Sequence, residues 1–401
     1  MKRITAIILV LALAVGLTGC YGGELKLYNA FTKMQDINSV EADTEVGFTF
    51  ETEGFSEDEQ MILEEVASVL NDAKLKIHQK QLLNDDNTKT QAEANINFKL
   101  ADIDENMDIW IDMDVSEDEF KLVEILKLPE ILMNTIFPEE ASKEYLLYNV
   151  GAQLNTKGEK DNIKEVVEFS KNFQDKMKDF MKEFSKDFKL GKNIITAKGD
   201  KVMDGQKLEM FQLKLDDAAL KELVRYAVNY TLDNEEGKEF IKDYLDAVMS
   251  IAEIPEEEKE EVEKELKEGL EEFENQIPEF KEKFDEFMDK YKNVKILGKN
   301  GIVIEYGINK NGYIAYEKGN IDLEINLADI SKHMDVEDLE LKGIIRLGIN
   351  YESKLYNINS KDVKIEIPKL DENNSIDLFK MMETQMKALD ESIEVENIEV
   401  E

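Results

Sequence analysis

Two hydrophobic rhythms divide the chain. Residues 40 to 52 place Val40, Ala42, Thr44, Val46, Phe48 and Phe50 at every second position, the period of a half-buried strand. Alternation resumes at Leu75 and Ile77, breaks at the polar run Asn84-Asp85-Asp86-Asn87, and continues through Ala92, Ala94, Ile96, Phe98 and Leu100. In the next run Met107, Ile109, Ile111, Met113 and Val115 interleave with Asp108, Trp110, Asp112 and Asp114, which predicts one apolar and one acidic face. A shorter strand is expected from Phe120 to Ile125, then a helical turn from Glu130 to Phe137 between Pro129 and Pro138. Hairpins joined by short polar turns are the pattern of an antiparallel meander.

The helical period interrupts these strands. After a helix-like stretch from Leu25 to Met34, Ser56 and Glu59 have the spacing of a capping box, and Ile62, Val66, Val69 and Leu70 predict one apolar face over 56 to 72. Residues 162 to 188 predict a long helix with Ile163, Val166, Phe173, Met177, Phe180, Met181 and Phe184 on one stripe and Gly191 beyond its end. Strands at 194 to 201 and 208 to 215 flank Asp204-Gly205, a hairpin turn, and helices are expected at 216 to 231, 235 to 252 and 255 to 292. In the last, Val262, Leu266, Leu270, Phe273, Ile277, Phe280, Phe284, Phe287, Tyr291 and Val294 trace a seam, and Pro278 should kink or restart the helix. Strands return at 301 to 308, 312 to 328, 339 to 355 and 360 to 367, with Asn311-Gly312 as a turn. A terminal helix over 375 to 391 would turn Ile376, Phe379, Met382, Met386 and Leu389 inward, ahead of an acidic tail.

Apolar sheet faces and apolar helix stripes must cover one another. The expected fold is therefore α+β: one curved antiparallel sheet, an incomplete barrel, with helices on its concave face and a long helical insertion. In the order of its strands over 40 to 367, in Lys127 to Val150 and in Asp204-Gly205 to Val224, the chain resembles the LolA/LppX-like half-barrel lipoproteins. No signature residue of that family is matched, and the helical arm is longer than the family pattern. The resemblance implies an apolar cavity that binds acyl chains.

The first twenty residues change the picture from fold to address. Lys2 and Arg3 precede an apolar run from Ile4 to Val15, broken only by Thr5, which leads to Leu17-Thr18-Gly19-Cys20. The run is too short to span a bilayer core and has the order of a secretory leader. Leu17, Thr18 and Gly19 before Cys20, the single cysteine of the chain, resemble a bacterial lipobox, with a conventional leader as the alternative. That resemblance implies cleavage before Cys20, diacylglycerol and palmitate-type acylation of its thiol, and anchoring on the outer face of the cell membrane. More than one acyl chain is what stable anchoring requires.

The segments are then a leader at 1–19, the lipidated cysteine with a tether and short helix at 20–39, the first part of the half-barrel at 40–215, a helical elaboration at 216–296, returning strands at 297–370, and the terminal helix and tail at 371–401.

Net charge is −39, and loss of Lys2 and Arg3 makes the processed chain more acidic still. Phosphates would be repelled, which argues against nucleic acid as a partner. Arginine occurs only at 3, 225 and 346, while Ile, Asn, Lys and Glu abound; an AT-rich genome follows, and a Gram-positive host is favoured.

Candidate chemistry is sparse. His78 and His333 are isolated and read as structural, and no zinc-binding helix pair, nucleophile elbow or phosphate loop occurs, so neither catalysis nor a cofactor is expected. The acids Asp102, Asp104, Glu105, Asp108, Asp112, Asp114, Glu117, Asp118 and Glu119 invite a calcium reading. Yet Met107 stands where a calcium loop needs glycine, and the acids from Asp108 alternate along a strand, so a solvated face is expected and no metal. Phe173, Met177, Phe180, Met181 and Phe184 are the candidate ligand-facing residues, with a packed core as the default reading of such a stripe. The expected function is a non-enzymatic surface lipoprotein that binds a lipid or lipidated peptide. Its alternative is an envelope interaction protein that docks a protein partner through the acidic helical arm.

Overall fold

A computed structural model describes residues 23–85, 88–115, 120–152, 176, 180, 183–184, 194–251, 259–332, 342–382 and 384. Among them the chain is α+β, built on a twelve-stranded sheet that is mostly antiparallel and is not closed into a barrel. The strands are β1 (Ser39–Glu53), β2 (Lys74–Leu83), β3 (Lys89–Leu100), β4 (Ile103–Asp114), β5 (Lys121–Lys127), β6 (Tyr145–Asn149), β7 (Ile195–Met203), β8 (Gln206–Leu215), β9 (Leu297–Ile308), β10 (Ile314–Asn326), β11 (Ile344–Tyr356) and β12 (Ser375–Asp377). Their order is β12-β6-β5-β4-β3-β2-β1-β11-β10-β9-β8-β7, so the late strands β9 to β11 return beside β1. The helices are α1 (Gly23–Met34), α2 (Glu57–Asp72), α3 (Glu130–Ile136), α4 (Asp217–Asp233), α5 (Glu235–Ile251), α6 (Lys259–Lys290) and α7 (Leu327–Ser331).

The chain divides into two compact units that interleave in sequence. The first holds 1–36, 46–73 and 165–354; the second holds 37–45, 74–164 and 355–401.

In the first unit one face of β8 to β10 carries the main core. Register puts Phe211 opposite Tyr306, Leu213 opposite Ile304 and Leu215 opposite Ile302, and all six are buried. Leu27 and Ala30 of α1 and Ala219, Leu220 and Leu223 of α4 pack into the same cluster, so the segment read as tether and short helix helps to build the core. Leu208, Met210, Ala315 and Tyr316 form a smaller cluster on the opposite face. Asp204 and Gly205 both adopt positive φ, 49° and 78°, as the tight β7–β8 hairpin requires.

Two expectations need correction. Residues 360 to 367 form no strand; Pro368 follows them, and the next strand, β12, is short and pairs in parallel with β6. Ile376 is accordingly on a strand, and the following helix turns Met381 inward while Met382 is exposed. In α2 the capping box of Ser56 and Glu59 forms, but no residue of the helix is buried, and Ile62 and Val66 face solvent. The helix is held to β1 through polar contacts, Asn71 with the backbone of Phe50 and Gln60 with Thr52, while Leu63, Val69 and Leu70 are only half-buried. α6 runs as one helix through Pro278, so of the two outcomes expected there the restart does not occur.

Candidate functional site

The second unit presents a different surface. Cross-strand register from β2 to β5 lines up Ile77, Ile96 and Met107; then Gln79, Ala94, Ile109 and Leu126; then Gln81, Ala92, Ile111 and Glu124; then Leu83, Thr90, Met113 and Leu122. These rows share one face because side chains alternate along a strand and match across antiparallel partners. The face is predominantly apolar, yet every apolar side chain in these rows is only half-buried. Ala92 and Ala94 on the middle strand, beside Ile111 and Ile109, leave its centre low.

Toward β6 the same face closes. Met133 of α3, Leu146 and Ile376 form a buried cluster, backed by Leu126, Phe137 and Met381, and Tyr148 stacks on Phe379 at 4.5 Å. Beside this cluster lies a cleft of about 600 Å³ in which Leu147, Leu370, Ile376 and Met381 meet a rim of Glu140, Lys143, Asp377 and Lys380. The rim charges are matched in local pairs, Lys143 with Glu140 at 2.9 Å and Lys380 with Asp377 at 3.5 Å.

The opposite face of β2 to β4 carries cross-strand polar pairs, and Trp110 and Ile125 are buried on the same side toward β5. Asn95 donates to Asp108 at 2.9 Å, Gln91 to Asp112 at 3.3 Å and Asn97 to Asp104 at 2.9 Å, while Lys89 pairs with Asp114 at 2.6 Å and Lys121 with Asp112. Cross-strand pairing thus accounts for Asp104, Asp108, Asp112 and Asp114. Among the described residues no group of three or more His, Cys, Asp or Glu is placed to hold a metal ion. Glu117, Asp118 and Glu119 lie outside the described residues. His78 Nδ1 sits 2.8 Å from Asp43 and 3.4 Å from the hydroxyl of Tyr356, whose ionisation burial and Asp43 push up to about 12. His333 lies outside the described residues.

Of the predicted ligand-facing residues, Phe180 and Phe184 are described, and both belong to the first unit. Phe184 is buried in the main core with its ring 4.9 Å from that of Tyr230 and 5.3 Å from that of Tyr226; Phe180 stacks on Phe240 at 5.9 Å. Both therefore pack against the aromatic side chains of α4 and α5. Phe173, Met177 and Met181 lie outside the described residues, as do Leu17, Thr18, Gly19 and Cys20. Among the described residues no helix is long and apolar enough to cross a membrane.

Sequence reasoning missed one constellation, which is in the first unit. Glu317 occupies an inward position of β10, opposite Tyr306 on β9, and accepts a hydrogen bond from the hydroxyl of Tyr351 on β11. Gly319 makes room for the Tyr351 ring, which lies where a Cβ would stand. Burial raises the Glu317 carboxyl above its ordinary range against the opposing effect of the Tyr351 bond. The Tyr306 hydroxyl is buried without a hydrogen-bond partner, and burial, with Glu317 nearby, pushes its ionisation upward. The signal was a glutamate in phase with Ile321 and Leu323 on an alternating strand. Compared with known proteins, the chain matches no family model, no curated protein and no solved structure.

Proposed function

We propose that this chain is a non-enzymatic protein, lipid-anchored on the outer face of the cell membrane, whose LolA/LppX-like, half-barrel sheet binds an apolar ligand, a lipid or lipidated peptide. The observation that carries the reading is the half-buried apolar face of β2 to β5, whose rows are in register and whose centre is lowered by Ala92 and Ala94. Apolar surface of that continuity, left partly open, is what an acyl chain would cover. The leader and Cys20 supply the address, and the acidity of the chain argues for anchoring by acyl chains in place of a basic patch.

Native mass spectrometry with lipid extraction, on the chain from Tyr21 onward, tests the ligand. A stoichiometric acyl guest on the wild type that is lost from Ala94→Trp supports the reading, and a clean apo mass after incubation with membrane lipids sinks it. The anchor is tested separately: incorporation of labelled palmitate in cells should disappear in Cys20→Ser.

A second reading, docking of a protein partner through the acidic helical arm, is favoured by the exposure of Phe280 and Phe287 on α6.

A further inference from the structure

One row of the half-covered face in the second unit carries a charge. In register it runs Gln81, Ala92, Ile111, Glu124 and Tyr148, one residue from each strand from β2 to β6. Glu124 therefore stands between Ile111 and Tyr148 across the strands, and Leu122 and Leu126 flank it along β5, since residues two apart share a face. Glu124 is half-buried and is the one charged side chain in the four rows that make up this face. Tyr148, half-buried as well, stacks on Phe379 with ring centroids 4.5 Å apart, so an aromatic surface adjoins the carboxyl where the face begins to close.

No counter-charge meets Glu124. Among the described residues it has neither an ion pair nor a side-chain hydrogen bond. The lysines of its own strand, Lys121 and Lys127, alternate to the opposite face and pair with Asp112 and Glu144. Lys143 and Lys380, on the rim of the neighbouring cleft, are engaged with Glu140 and Asp377. That placement constrains what can cover the face. A neutral or anionic guest laid over these rows would strip water from Glu124 and give nothing back, a large cost for an unpaired carboxylate. A guest that brings a positively charged nitrogen meets the carboxylate with a charge-assisted hydrogen bond, and the Tyr148 ring adds the attraction of an aromatic face for a cation. Ala92 lies two strand spacings, about 10 Å, from Glu124. A chain whose head sits at Glu124 thus passes over Ile111 onto the low centre at Ala92 and Ala94.

We propose that Glu124 and Tyr148 form the head-group end of this face, and that its guest is an acyl or alkyl chain carrying a protonated amine. The proposal rests on the reading of the face as an apolar binding site and names the class of guest. The amine can belong to a lipidated peptide or to a single-chain lipid, since both present the same chemistry to Glu124.

The test is isothermal titration calorimetry of the full chain carrying Cys20→Ser, so that no acyl anchor of its own competes, with decylamine, decanol and decanoate at neutral pH below micelle formation. Decylamine should bind at least about tenfold more tightly than decanol, the worth of one charge-assisted hydrogen bond, with decanoate weakest. Glu124→Gln keeps the shape of the side chain and should erase that margin while leaving decanol binding unchanged, and Glu124→Lys should turn the preference toward decanoate. Tyr148→Leu, which keeps apolar area and removes the ring, should weaken the amine more than the alcohol. The decylamide of a short peptide, with its amino terminus free and then acetylated, separates the two sources. A margin equal to that of decylamine or larger assigns a lipidated peptide, and a smaller one a single-chain amine. Glu124→Gln scarcely alters the net charge of −39, so an amine preference that survives it comes from the acidity of the whole chain and overturns the proposal. Equal binding of amine and alcohol to the starting protein overturns it too, yet leaves the apolar site standing. Binding of none of the probes sinks that site and the proposal together.

Discussion

Phe211, Leu213, Ile304 and Tyr306 in the first unit are no more than 4 % exposed, whereas Ala94, Ile96, Ile109 and Ile111, which alternate in the same way on paired strands of the second unit, are only half-buried. The difference lies in what covers them. Leu27 and Ala30 of α1 and Leu220 and Leu223 of α4 fill the surface over β8 to β10. In the second unit, Met133 and Met381 close the face at β5, β6 and β12, and the described residues leave β2 to β4 half-covered. One hydrophobic period thus gives two outcomes: a dry face that stabilises the fold and a wetter one left half-buried.

Truncations should expose that contrast most sharply. Phe211→Ala in the dry core is expected to cost about 3–5 kcal/mol, read from urea or thermal unfolding. Tyr351→Phe should cost about 1–3 kcal/mol, because it removes the hydrogen bond to Glu317 and leaves a buried carboxyl unpaired. Ile109→Ala on the half-buried face should cost only about 1 kcal/mol, since much of the side chain already meets solvent, while weakening retention of an acyl guest. Equal costs for Phe211→Ala and Ile109→Ala would remove the distinction between the two faces. Ser56→Ala, which deletes the cap of the half-exposed helix α2, is expected to lower stability by about 1 kcal/mol or less and to speed amide exchange locally in its first turn.

A pH series refines the comparison from within the dry core. Because burial raises the Glu317 carboxyl, its contribution to stability is complete below the ordinary glutamate range and is lost as pH climbs through its own raised value. Glu317→Gln should therefore match the wild type in acid and become relatively more stable toward neutral pH. Parallel stability curves for the two proteins across that window would mean that Glu317 titrates like an exposed carboxylate.

Most strands were legible because their cause is local. Alternation at 40 to 52 and 107 to 115, and turns at Asp204-Gly205 and Asn311-Gly312, each need only a few neighbouring residues, and β1, β4 and both hairpins form there. The run at 360 to 367 alternates just as well yet forms no strand, since alternation supplies a face without supplying a partner edge. The candidate site was half-legible. The apolar face of β4 was plain, but its incomplete burial was not, because burial depends on which helix lies across it. Phe180 and Phe184, chosen from the stripe of a helix, pack on Tyr226, Tyr230 and Phe240, partners that the stripe itself does not name. Glu317 was visible as a charge in an inward phase, but its bond to Tyr351 depends on residues 34 positions apart and on the gap left by Gly319.

By itself the sequence determined the strand and helix periods, the capping box at Ser56, the acid–amide alternation of one sheet face and the acidity of the whole, all of which follow from neighbours within a turn or two. Only the tertiary structure decided the return of β9 to β11 beside β1, the burial of α1 in the core, the solvent exposure of Phe280 and Phe287, and the pairing of Glu317. Those outcomes depend on contacts between distant segments, and a periodic pattern states which face seeks cover without stating what will provide it.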